Sequence, residues 1–156
     1  MIDELYSARI LKLAANLPHS GRLPDPQGTG ERVAKLCGSK AIVDVVLDAD
    51  GRVVAFAQDV KACALGQAAA GVIGQAVLGA ALADIEAARD AMVAMLKTNA
   101  DGPTGPFEGL RALKQVAAYP ARHASTLVAL EATLDAVKQA VGRKSPDTRT
   151  SLAGAA

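Results

Sequence analysis

Tryptophan is absent from this 156-residue chain, and tyrosine and phenylalanine supply two residues each. With so few aromatic faces there is no platform on which unpaired bases stack. An excess of charge is missing as well. Lys and Arg number 17 against 16 Asp and Glu, a formal net charge of +1. No field of one sign draws the chain to a phosphate backbone or an anionic bilayer, so neither nucleic acid nor membrane is expected as a partner. Cysteine is scarce too: the chain has two, Cys37 and Cys63. That is too few for a disulfide framework and fits a reducing compartment that keeps both as thiols. The opening Met1-Ile2-Asp3-Glu4 is acidic and lacks the apolar stretch of a signal peptide, so the expected location is the cytoplasm.

Small residues are abundant, with 14 glycines and many alanines, and they let helices approach closely. No charged residue lies between Lys61 and Asp84. A run of that length approaches the roughly 20 apolar residues of a membrane span. It is Ala and Gly rather than Leu and Ile, contains Gln67 and Gln75, and has no Trp or Tyr at either end. It reads as a helix buried on most faces.

The pattern predicts an α+β fold, a small three-stranded antiparallel sheet covered by helices. A first helix is expected over Asp3 to Leu17, with Tyr6, Ile10, Leu13 and Leu17 on one face. Residues 22–30 read as a loop by composition, Gly28 and Gly30 included. Strand character begins near Arg32 and reaches Cys37. Ala41, Val43, Val45 and Leu47 alternate along a second strand, Asp48-Ala49-Asp50-Gly51 makes a hairpin turn, and Arg52 to Asp59 returns. Helices follow over Leu65 to Leu78 and Leu82 to Lys97, with Gly79 as the break. A short helix is expected over Phe107 to Val116, and a last one opens at Tyr119-Pro120. Its apolar stripe is His123, Leu127, Leu130, Leu134, Val137 and Val141. The expected organisation is one domain over residues 1–142 and a disordered tail over 143–156.

The chemistry lies with the thiols. Cys37 follows the first strand, and Cys63 precedes a helix. Unpaired backbone N–H groups and the positive end of the helix dipole favour the thiolate there, the form that binds metal or accepts sulfur.

Several segments carry a family resemblance. They are Leu17-Pro18-His19-Ser20-Gly21-Arg22, Cys37-Gly38, Cys63-Ala64-Leu65, Gly79 to Glu86, and Tyr119-Pro120-Ala121-Arg122 followed by Ser125-Thr126-Leu127. Together they resemble the U-type iron–sulfur cluster assembly scaffolds, the IscU, SufU and NifU N-terminal group, over roughly Leu5 to Val141. The resemblance implies a SufE/NifU-like fold and a transient Fe–S cluster or zinc. It also implies a cysteine desulfurase and cluster acceptors as partners. Cys37, Cys63 and, by analogy with a His-Cys pair, His123 are the implied ligands. Ser39 stands at the family's Asp position. Its third Cys corresponds to Ala124 if one residue is deleted, or to Ser125 without a gap.

Three readings follow. The first is a binding module that handles a cluster, iron or zinc. The second is a sulfur acceptor carrying persulfide on a cysteine. The third is an adaptor whose thiols bind nothing. Ser39 and Ser125 read as solvated or capping hydroxyls, Arg122 as solvated and His19 as exposed. Lys40 and Lys61 are placed to lower a nearby thiol's pKa or to be plain surface charges. Ser125 and His123 lack an oxyanion-hole motif and a third group, so a hydrolytic enzyme is not expected.

Overall fold

The computed structural model describes residues 7–36 and 38–155, with side chains through Arg143. Helix α1 covers Ala8–Ala15, strands β1 to β3 cover Gly28–Ala34, Ser39–Leu47 and Val53–Lys61, and α2 covers Ala64–Ala76. Helix α3 (Leu82–Thr98) is followed by 3-10 turns over Gly105–Ala118 and Pro120–Arg122, then α4 from His123 to Ala155. Met1–Tyr6 and Cys37 lie outside the described residues, as do the side chains of the expected tail beyond Arg143.

The three strands form one antiparallel sheet in the order β1-β2-β3. Alternation sets its two faces. Ala41, Val43, Val45 and Leu47 are all buried, and Val60, Gln58 and Phe56 oppose the first three of them from β3. Helix α4 packs over β1 and β2, while α2 packs against α1, α4 and β3. Gly51 closes the hairpin with φ +81, and Asp48 Oδ1 accepts from the Asp50 and Arg52 amides.

β1 begins at Gly28, not near Arg32, so residues 28–30 are strand rather than loop. Packing explains the difference. A Cβ at Gly28 or Gly30 would run into the backbone carbonyl of Ala136 or Ala132 in α4. Two glycines one strand period apart therefore let a helix backbone lie directly on the sheet. Arg32 then reaches the same helix, its Nε donating to Asp135 Oδ2 at 2.5 Å.

Phe107, Leu110, Leu113 and Val116 are all buried, three residues apart. That is the repeat of a 3-10 helix, and the segment takes this form in place of the expected α-helix. The last α-helix likewise begins at His123, after a separate 3-10 turn at Pro120. Most of α2 is buried, as its lack of charge predicts. Among the described residues no helix is long and apolar enough to cross a membrane.

The outer face of the sheet carries a buried charge. Asp44 is fully buried and accepts from Arg22 Nε at 2.6 Å, Arg22 Nη2 at 3.2 Å, the Leu23 amide at 3.0 Å and Thr29 Oγ1 at 2.7 Å. Burial pushes its pKa up, but these donors outweigh that and hold the carboxyl below the ordinary aspartate value. The segment before β1 is thereby pinned across the sheet. Its upstream end is held by the Gly21 amide donating to Gln58 O at 2.8 Å and by the Gln58 amide donating to His19 O at 2.9 Å.

Candidate functional site

Cys63 is the N-cap of α2 and is partly exposed. Its sulfur sits 3.1 Å from Ser125 Oγ, and Ser125 Oγ lies 3.0 Å from Ser39 Oγ. Three elements meet at this point: the first residue of β2, the start of α2 and the first turn of α4. Both serines are buried, Ser125 completely and Ser39 to 1% exposure. They are not the solvated or capping hydroxyls expected of them. Gly66 makes the approach possible, since a Cβ there would stand 2.8 Å from Ser125 O and 2.7 Å from the Ala62 Cβ.

Proton counting orders the chain. Each hydroxyl has one proton to give. With Cys63 as thiolate, Ser125 donates to the sulfur and Ser39 donates to Ser125. Partial burial pushes the Cys63 thiol up in pKa, but the Ser125 hydrogen bond, the Gly66 and Leu65 amides and the charge of Arg122 outweigh it. The net direction is below the ordinary thiol value, so the anion is favoured.

Arg122, read from the sequence as solvated, is thus the cation that acts on Cys63. Lys40 and Lys61 are not among the groups that shift it. They are cross-strand neighbours of one another, and Lys40 Nζ pairs with Glu31 Oε2 at 3.1 Å. The signal for Arg122 was its position three residues before Ser125, which places it on the same turn of chain.

His123 is buried at 4% exposure, as its place on the apolar stripe predicts. Its Nε2 donates to Val116 O at 2.9 Å and contacts Ala117 O at 3.3 Å, so the ring faces the 3-10 run. Nδ1 has no hydrogen-bond partner. A helix turns about 100° per residue, so His123 and Ser125 leave α4 on sides about 200° apart. Of the two positions left open for a third ligand, Ala124 is exposed and Ser125 faces Cys63. Among the described residues no group of three or more His, Cys, Asp or Glu is placed to hold a metal ion. His19 is exposed, with its ring edge-on to Phe56.

No protein-family model and no curated protein matches the sequence. Solved structures do. The N-terminal part of a nitrogen-fixing NifU-like protein from Brucella abortus superposes with a TM-score of 0.87 at 42% identity, over 90% of this chain and 97% of that one. The chain belongs to the U-type scaffold family, of which that NifU-like domain is a member. Two more distant structures share the fold. One is a proposed iron–sulfur cluster assembly scaffold protein for the SUF system from Fervidobacterium islandicum. It is 18% identical with a TM-score of 0.73, over 85% of this chain and 96% of that one. The other is described as a hypothetical protein, 22% identical with a TM-score of 0.73, over 86% and 97%.

Proposed function

We propose that this chain is a scaffold on which an iron–sulfur cluster is held transiently, with Cys37 and Cys63 as the protein's thiolate ligands. The observation that carries the reading is the Cys63 sulfur at a helix N-terminus, 3.1 Å from a buried hydroxyl and biased toward its anion. Iron in clusters is bound by thiolate, so a sulfur whose pKa is lowered loses its proton to coordination more readily. Cys37 precedes Ser39 by two residues in the sequence. Ser39 is itself part of the hydrogen-bonded chain to Cys63. The NifU-like relationship at 42% identity supports the same reading. By that kinship a cysteine desulfurase supplies sulfur, and acceptor proteins take the cluster.

His123 is left outside the proposed ligand set. Its Nε2–H is committed to Val116 O, and its ring faces the 3-10 run. Zinc is the competing cargo for the same two thiolates, and loading distinguishes them.

The lowered thiol pKa also favours a second reading, persulfide acceptance. The Cys63 thiolate would attack the outer sulfur of a donor persulfide. A sulfur–sulfur bond forms at Cys63, the donor's sulfur–sulfur bond breaks, and the donor leaves as thiolate with no net redox change.

Oxygen-free loading with iron and sulfide tests the scaffold reading. The expected product absorbs in the visible through sulfur-to-iron charge transfer, and Cys37→Ser and Cys63→Ser each abolish the bands. Zinc uptake without such bands, or bands that survive both substitutions, would refute it. Persulfide on Cys63 after incubation with a desulfurase, without cluster bands, would establish the second reading in its place.

A further inference from the structure

The net charge of +1 conceals an uneven distribution. A surface concavity of about 580 Å³ opens between the start of α1, the end of α3 and the 3-10 run, and Arg9, Arg111 and Lys114 line it. The volume is that of a small-molecule site. The lining is polar: among its described residues Ala112 alone is apolar, and the Asn99 and Gln115 amides stand with the cations.

The three positive charges are poorly compensated. Among the described residues, Asp101 is the one carboxylate within ion-pair distance of any of them, 3.7 Å from Lys114 Nζ, and its side chain is 90% exposed. Arg9 stands in the first turn of α1, at the positive end of the helix dipole, and that turn has no acidic residue. Arg111 and Lys114 are three residues apart in a 3-10 helix, so they leave it on one face. Like charges held this way repel, and an anion between them removes the repulsion. Arg111 is also fixed in advance. Its Nε donates to Pro103 O at 2.8 Å, and a Cβ at Gly102 would stand 3.1 Å from its Cγ, so the glycine leaves room for the stem. A guanidinium already ordered loses less freedom when a ligand binds.

We propose that this concavity binds a small polyanion, a compound bearing two or more phosphoryl or carboxylate groups. Each arginine fork pairs with two oxygens of such a group, and the lysine supplies a third point charge. The Asn99 and Gln115 side chains donate to oxygens that the cations leave. Among the described residues no aromatic side chain lines the concavity, so a nucleobase has no face to stack on. The ligand is recognised through its anionic groups alone.

The test is calorimetric titration of the metal-free full chain with inorganic pyrophosphate and, separately, with citrate, at one fixed low ionic strength. Saturable binding of one molecule per chain is expected for at least one of the two, and the tighter identifies phosphoryl or carboxylate groups as the source of the charge. Arg9→Gln and Arg111→Gln should each weaken it about tenfold. Arg111→Lys keeps the charge without the fork and should recover part of that loss. Lys61→Gln, which removes an exposed cation at the end of β3, should change nothing. Urea unfolding without ligand checks the fold of each variant, and Arg9→Gln, which takes a cation away from a helix N-terminus, should not destabilise. Binding of neither probe overturns the inference. So does binding that Arg9→Gln and Arg111→Gln leave unaltered, or that Lys61→Gln weakens equally, since the attraction is then one of general charge. No iron or sulfide is present, so the scaffold reading stands or falls separately.

Discussion

The hydroxyl of Ser125 lies 3.1 Å from the sulfur of Cys63, and Ser39 stands 3.0 Å behind it. Because Ser125 is fully buried, water does not replace its hydrogen bond to the sulfur when the side chain is removed. The thiol should then become a weaker acid. In a Cys37→Ser background, the pH at which iodoacetamide alkylation of Cys63 reaches half its maximal rate is expected below the usual thiol value of about 8.5. Ser125→Ala should raise that midpoint by about one unit, the weight of one hydrogen bond to a charged group. An unchanged midpoint would mean that Ser125 does not donate to the thiolate.

Asp44 gives a second expectation, one of stability. Its carboxyl is depressed in pKa in the folded state, so it contributes stability above the unfolded value of about 4. That contribution is lost as pH falls through the lower, folded value. Asp44→Asn should therefore flatten the loss of stability between about pH 5 and 2, measured by urea unfolding. Asp44→Ala at neutral pH should cost about 2 to 3 kcal/mol. The lower part of the range for a buried charge applies, because Arg22 is half exposed and water takes over part of its bonding.

Gly30 should tolerate no side chain. A Cβ there meets the Ala132 carbonyl and the Asp135 side chain of α4, and backbone cannot move aside as a side chain tip does. Gly30→Ala is expected to destabilise by about 3 kcal/mol, whereas Gly142→Ala, with open space around it, should have no cost from a clash. Equal midpoints in denaturant for the two variants would contradict the close seat of α4 on β1.

The sequence showed most clearly what periodicity encodes. Alternation placed Ala41, Val43, Val45 and Leu47 on the buried face of β2, and the uncharged run placed α2 in the interior. Gly79, with φ +90, breaks the chain between α2 and α3 where the sequence marks a stop. Gly28 and Gly30 misled because glycine signals a loop by composition, while here it serves an approach between backbones that no local pattern records. The three-residue spacing of Phe107, Leu110, Leu113 and Val116 was present to be read, but short segments carry both helical periods almost equally well. At the site, the cap position of Cys63 follows from sequence. The roles of Ser39, Ser125 and Arg122 depend on bringing β2 and the start of α4 against the start of α2. That is a product of tertiary packing, and serine and arginine are ordinary surface residues until such packing is known.

The most direct measurement on the proposed centre is iron X-ray absorption of protein loaded with iron and sulfide without oxygen. The spectrum is expected to show sulfur neighbours and a second iron around each absorber, and Cys63→Ser should lose both. Iron surrounded by oxygen and nitrogen alone, or identical spectra from wild type and Cys63→Ser, would contradict a cluster held at these thiols.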